Sequence, residues 1–382
     1  MMKHNISLLV FSFTIISLIG QTPSFTHQDS LRGSITPERE WWDLTYYHLD
    51  IEANPYDSSL RGSNTVYYKV LSSQQQMQID LQEPMVISQV VQNEKKLKFR
   101  RVGNVYYIEL LDKQILGEIY SITLFYHGNP LVTKRPPWDA VLTWTYDNNG
   151  KPFFATSCQG DGASLWWPCK DHMYDEPDSM LMSFTVPKDL IAVGNGRLIE
   201  TEKNKKDKTK TYHWIVSNPI NNYCVNMNVG DYVHFGEVYD GEKGPLDCDY
   251  YVLSYNLKKA KEHFKQVPMM LEAFEYWFGT YPFYEDSYKL VEVPYPGMEH
   301  QSSVTYGNGW KNGFSGRDIS HSGWGDQFDF IIIHESGHEW FANSITYKDI
   351  ADMWVHEGFT AYSENLYVDY HFGKEASSEY VR

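Results

Sequence analysis

Residues 334–343 read His334-Glu335-Ser336-Gly337-His338-Glu339-Trp340-Phe341-Ala342-Asn343, and Trp354-Val355-His356-Glu357-Gly358-Phe359 follows a short way downstream. On a helix, the first and last residues of the opening five lie one turn apart, so His334 and His338 project from one face and can share a metal ion. Glu335, one position on, stands beside that ion as a base without ligating it. Imidazole nitrogen suits zinc, and a catalytic zinc site takes three protein ligands and keeps a position open for water. Glu357 is far enough along for an adjacent helix to return its carboxylate as the third ligand to the one ion. Glu364 lies two helical turns beyond it on the same face, where it can accept the second ring N–H of a zinc histidine. The competing role for Glu364 is an ordinary surface salt bridge.

Working outward, the chain changes texture on either side of residue 250. Residues 41–251 carry short β-branched and aromatic runs such as NTVYYKVL, NVYYIELL, YSITLFYHG, KTYHWIV and YCVNMNVGDYVHF, broken by turn signals. This predicts an antiparallel β-rich domain, with the charged GEKG at 241–244 near its end. Ala260, Phe264, Val267, Leu271, Phe274 and Phe278 then recur at helical spacing, interrupted by Pro268. Strands over 289–293 and 302–306 and a helix over 327–344 are expected next. The fold class that results is α+β multidomain: a β-rich domain over 40–248, then a mainly helical zinc catalytic domain over 249–382. The closing GKEASSEYVR has neither helix stop nor polar tail, so the sequence reads as truncated within that second domain.

The bulk numbers exclude some functions. A net charge of −16 with no basic stripe argues against a nucleic-acid partner, because phosphate binding needs clustered Lys or Arg. Residues 1–20, MMKHNISLLVFSFTIISLIG, combine Lys3, an apolar run and Gly20 in the pattern of a secretory signal peptide. The run is short for a membrane span, so a periplasmic or extracellular protein without a stable membrane anchor is expected. Cys158, Cys169, Cys224 and Cys248 either pair in that compartment or stay as buried thiols.

The zinc block, with WVHEGFTAYSE, resembles the gluzincin aminopeptidases, the family of aminopeptidase N and leukotriene A hydrolase. Two further blocks carry the resemblance: Gly297-Met298-Glu299-His300, similar to the family's exopeptidase motif, and Thr156-Ser157-Cys158-Gln159 followed by Trp167-Pro168-Cys169. The resemblance implies a thermolysin-like catalytic domain, Glu335 as general base, and His334, His338 and Glu357 as zinc ligands with Glu364 behind them. It also implies a substrate path lined by Gly297 and Met298. A carboxylate fixed at Glu299 pairs with the free α-ammonium of a peptide, which limits cleavage to the first bond. Gln159 is expected to add a neutral acceptor to that amine.

Where the family has Asn, Gly and Asn, this chain has His300, Ala342 and His356. His300 is expected to charge near neutral pH and disfavour a cation there. The family's oxyanion tyrosine falls beyond Arg382, and none of Tyr362, Tyr367, Tyr370 or Tyr380 takes that role. The reading is therefore a zinc aminopeptidase acting on peptides with free N-termini. Its alternatives are a thermolysin-like endopeptidase, an epoxide hydrolase, and a noncatalytic zinc-bearing binding protein or inactive fragment.

Overall fold

In the computed structural model, residues 24–382 are described, and the leader reading of residues 1–20 lies outside them. Trp42–Asn54 and Ser59–Val70 form a long antiparallel hairpin at the centre of an eight-stranded sheet. Ile119–Gly128 lies beyond the second strand, and Ser179–Pro187 runs parallel to the first. Trp42 and Leu44 face inward, then Tyr47, Leu49, Ile51 and Ala53 do, because a register shift between Leu44 and Tyr46 moves the buried phase by one residue. Three- and four-stranded sheets pack on the same core, where Tyr47 meets Trp167 edge to face at 5.0 Å. Each such side chain, fully buried, contributes roughly 1.5–3 kcal/mol.

GEKG is the tip of a hairpin, Tyr232–Gly241 with Gly244–Leu253, and not the end of a domain. The hairpin joins Tyr288–Glu292, Val304–Tyr306 and Gly297–Met298 in a five-stranded mixed sheet. The expected boundary at 248 thus falls inside a strand that serves two cores. Leu246, Cys248, Tyr250 and Val252 face the second core, while Tyr251 and Leu253 face the first. Strand alternation makes this sheet the wall common to both halves. Tyr288 and Leu290 against Val291 and Val293 repeat the pattern.

The helical stripe divides into Leu257–His263 and Gln266–Phe278. The break precedes Pro268, which sits in the first turn of the second helix, where a missing N–H costs nothing. Instead of one helix over 327–344, an α-helix spans Phe330–Gly337, and Glu339–Ser344 forms a wider turn in which Phe341 and Ala342 leave helical geometry. Trp354–Phe372 is a long helix, and Lys374–Tyr380 folds back after Gly373. All four cysteines are buried free thiols. No helix of the described residues is long and apolar enough to cross a membrane.

Candidate active site

Asp329 starts the motif helix by accepting the N–H groups of Ile331 (2.9 Å) and Ile332 (3.2 Å). Ile331, Ile332 and Ile333 are buried in the second core, which turns His334, Glu335 and His338 toward a cavity of about 390 Å³. The long helix packs directly against this one because position 337 is glycine: a Cβ there would stand 2.5 Å from Ser363 Oγ. Position 297 is equally tight, where a Cβ would meet Ile331 at 2.6 Å and Glu335 at 3.1 Å. The clamp strand, Gly297–Met298 leading into Glu299, therefore lies against the motif helix.

The structure brings His334, His338 and Glu357 together. Glu357 Oε2 is 3.7 Å from His334 Nε2 and 3.7 Å from His338 Nε2, and the ligating atoms of all three lie within 4.8 Å of one another. Both Nδ1 atoms are already engaged. His334 Nδ1 donates to Glu364 Oε1 at 2.7 Å, and His338 Nδ1 donates to the Phe341 carbonyl at 3.1 Å with Thr360 Oγ1 at 3.0 Å. With each Nδ1 engaged, the two Nε2 atoms are left to face the same point as a carboxylate, the donor set that zinc takes.

Electrostatics fit a cation there. Burial pulls His334 down, but its bonds to Glu357 and Glu364 outweigh this and raise it to about 10. Burial and the neighbouring His334 push His338 down to about 3. The bond from His334 lowers Glu357 to about 2. A second overlapping set, Glu299, Glu335 and His338, also has its ligating atoms within 4.8 Å. It offers one imidazole and two carboxylates, so the first set is the better zinc site.

Glu335 and Glu299 are buried, at 8% and 3% exposure. Burial raises Glu335 to about 8 against the pull of His334, with Glu299 and Glu357 adding to the rise. Burial and the Glu357 charge raise Glu299 to about 7. Gly297, Met298 and Gln159 line the same cavity, along with Trp138, Phe314, Phe330 and Met353. Gln159 was expected as an acceptor, yet its amide nitrogen donates to Glu299 Oε1 at 2.6 Å and to Glu357 Oε1 at 3.0 Å. Two facing carboxylates attract N–H rather than carbonyl oxygen.

His300 departs from its expectation. It is fully buried against Thr305 Oγ1 (3.3 Å), and burial pushes it down to about 3, so it is neutral at physiological pH. His356 is buried too, accepting the Tyr347 N–H at 2.9 Å and stacking on that ring at 4.0 Å. Several supporting residues escaped the sequence reading. Asn343 Nδ2 donates to the Glu299 carbonyl at 2.9 Å, and Glu339 accepts the Ser302 N–H at 2.8 Å, so the wide turn after the motif helix holds the clamp loop. Thr360 was legible, since it shares a helix face with Glu357 and Glu364.

Residues 44–224 match the Peptidase M1 N-terminal domain, and residues 262–382 match the Peptidase family M1 domain. Leucine aminopeptidase 2 of Vanderwaltozyma polyspora is 26% identical over 231 residues, covering 58% of this chain and 31% of that protein. Aminopeptidase M1 of Arabidopsis thaliana is 28% identical over 236 residues, covering 59% of this chain and 25% of that protein. The chain therefore spans a third or less of the length of these two relatives. The crystal structure of an M1 zinc metallopeptidase from Deinococcus radiodurans shares the fold at 19% identity, with a TM-score of 0.74 over 88% of this chain and 72% of that one. The two matched domains follow one another in the order that the β-rich and helical halves occupy, and the chain belongs to peptidase family M1.

Proposed function

We propose that this chain carries the working site of a zinc-dependent aminopeptidase that hydrolyses the first bond of peptides with free N-termini. The observation that carries the reading is Glu299, a buried carboxylate whose oxygen lies within 4.8 Å of ligating atoms of Glu335 and His338. A charge so placed pairs with a substrate ammonium and sets the distance from the peptide's end to the reacting bond.

His334, His338 and Glu357 would hold the ion, which bound there would polarise a carbonyl and make water more acidic. Glu335 takes the proton of the attacking water and returns it to the departing amine. Glu364 and the Phe341 carbonyl hold the two imidazoles in the tautomer that leaves Nε2 free. Gln159, donating to both Glu299 and Glu357, holds in place the two carboxylates that the ammonium meets. The apolar wall of Trp138, Met298, Phe314 and Phe330 receives side chains of the substrate and sheds water from the cavity. The basic start, apolar run and Gly20 of residues 1–20 support export, to be checked by sequencing the N-terminus of protein recovered outside the cytoplasm.

The test is release of free amino acid from unblocked and N-acetylated aminoacyl substrates by zinc-loaded protein, with and without a chelator. Chelator-sensitive release from unblocked substrates alone is expected. Equal cleavage of internal bonds in N-blocked peptides would make the enzyme an endopeptidase, and stoichiometric zinc without any hydrolysis would make the site a binding site.

A further inference from the structure

We propose that Tyr380 is a positioning residue of the metal centre, acting on His334 through Glu364. The inference rests on the zinc reading above and adds to it a residue that belongs to neither the ligand set nor the substrate cavity.

His334 Nδ1 uses only one oxygen of Glu364, Oε1. The other, Oε2, accepts the Tyr380 hydroxyl at 2.7 Å. Both side chains are buried, Glu364 at 6% and Tyr380 at 8% exposure. A glutamate's terminal torsion is soft, with a broad rather than staggered preference. One bond to an imidazole therefore does not fix the plane of the carboxylate, whereas bonds to both oxygens from opposite sides do. With the Tyr380 hydroxyl removed, Oε2 becomes a buried acceptor without a partner and the carboxylate turns to satisfy it, off the His334 N–H. The ring then loses the contact that sets its tautomer and basicity.

The short helix Lys374–Tyr380 is built to deliver this hydroxyl. Gly373, at φ 88°, reverses the chain after the long helix. Ser377 Oγ donates to Asn365 Oδ1 at 2.9 Å, and the Trp324 indole donates to Glu379 at 2.8 Å, so two residues just before Tyr380 tie the helix down. The Tyr380 ring packs on Phe328 with centroids 5.9 Å apart. Burial, and then the charge of Glu364, raises the phenol further above its ordinary range, so it stays a donor throughout the working pH range.

The experiment is zinc affinity by competition with a chromophoric chelator, measured on the parent chain, Tyr380→Phe, Glu364→Ala and the double variant. Phenylalanine keeps the ring against Phe328 and removes only the hydroxyl. Tyr380→Phe is expected to weaken zinc binding about tenfold, in the range seen when outer partners of zinc histidines are lost. In the Glu364→Ala background it should cause no further loss, because the path to His334 is already cut. Ser378→Ala, on the exposed face of the same helix and touching neither group, should bind zinc like the parent. Affinity of Tyr380→Phe within twofold of the parent overturns the proposal. So does an equal loss in both backgrounds, or a matching loss in Ser378→Ala. His334→Ala separates this failure from a larger one: if it too binds zinc like the parent, the metal reading falls and the Tyr380 proposal with it.

Discussion

The two halves of the molecule treat buried charge in opposite ways. In the β-rich half, Arg39 is fully buried and closes on Asp80 at 2.6 Å, with the Arg32 and Ser34 carbonyls each accepting at 2.9 Å. Lys170 is likewise closed on Asp175 and the Trp42 carbonyl, over the Trp42 and Tyr174 rings. In the helical half, Glu299, Glu335 and Glu357 face a cavity, and among the described residues no lysine or arginine pairs with them. Pairs that hold a fold neutralise one another and present nothing to solvent. The charges of this half are left facing a space that a ligand can enter, and the raised proton affinities of Glu299 and Glu335 record what that costs.

The comparison breaks most visibly at Glu335. Glu335→Gln keeps the shape but removes the base, so turnover should fall by about 10²–10⁴-fold while zinc stays bound. Steady-state kinetics with metal analysis checks this, and retained turnover would end the mechanism. Arg39→Met should do the reverse: it strands Asp80 and costs about 3–5 kcal/mol of stability, read from urea midpoints, with activity per folded molecule unchanged. A loss of activity exceeding the loss of folded protein would mean that the two kinds of charge are not separate.

Glu299→Gln keeps a hydrogen-bond acceptor and removes the charge. A lost charged hydrogen bond is worth about 1.5–3 kcal/mol, so kcat/KM on unblocked substrates should drop about 10–100-fold. An unchanged kcat/KM would move the amine site elsewhere.

The smallest effect belongs to His300. Its folded value of about 3 lies below the ordinary 6.5, so the unfolded chain takes up a proton first as pH falls. Stability is therefore full above pH 6.5 and declines as pH drops toward 3. Between pH 6.5 and 5 the group's share is on the order of 1–2 kcal/mol. Urea midpoints of His300→Asn should lack that share of the slope, and its cleavage profile between pH 6 and 8 should overlay the parent's. A shifted profile would restore the charged-His300 reading that burial argues against.

Much of the site was legible because it is local. The spacing of His334 and His338 fixes their common face once a helix forms, and Glu357, Thr360 and Glu364 share a face for the same reason. Short β-branched and aromatic runs broken by turn signals announced the β-rich half, and the three-and-four spacing announced Gln266–Phe278. The charged tetrad at 241–244 misled as a boundary because a hairpin tip and a linker have the same composition. His300 misled because its type suggests a titrating group, while its pH behaviour is set by what buries it.

By itself the sequence determined the ligand types, their helical phase and the order of the two halves, since each depends on residues a few positions apart. Only the tertiary structure decided that Gln159 reaches Glu299 and Glu357 from the other half, that one sheet serves two cores, and that Tyr380 returns to Glu364. These meetings join residues distant along the chain, where no periodicity links one partner to the other. The packing of the cores brings them to within a hydrogen bond.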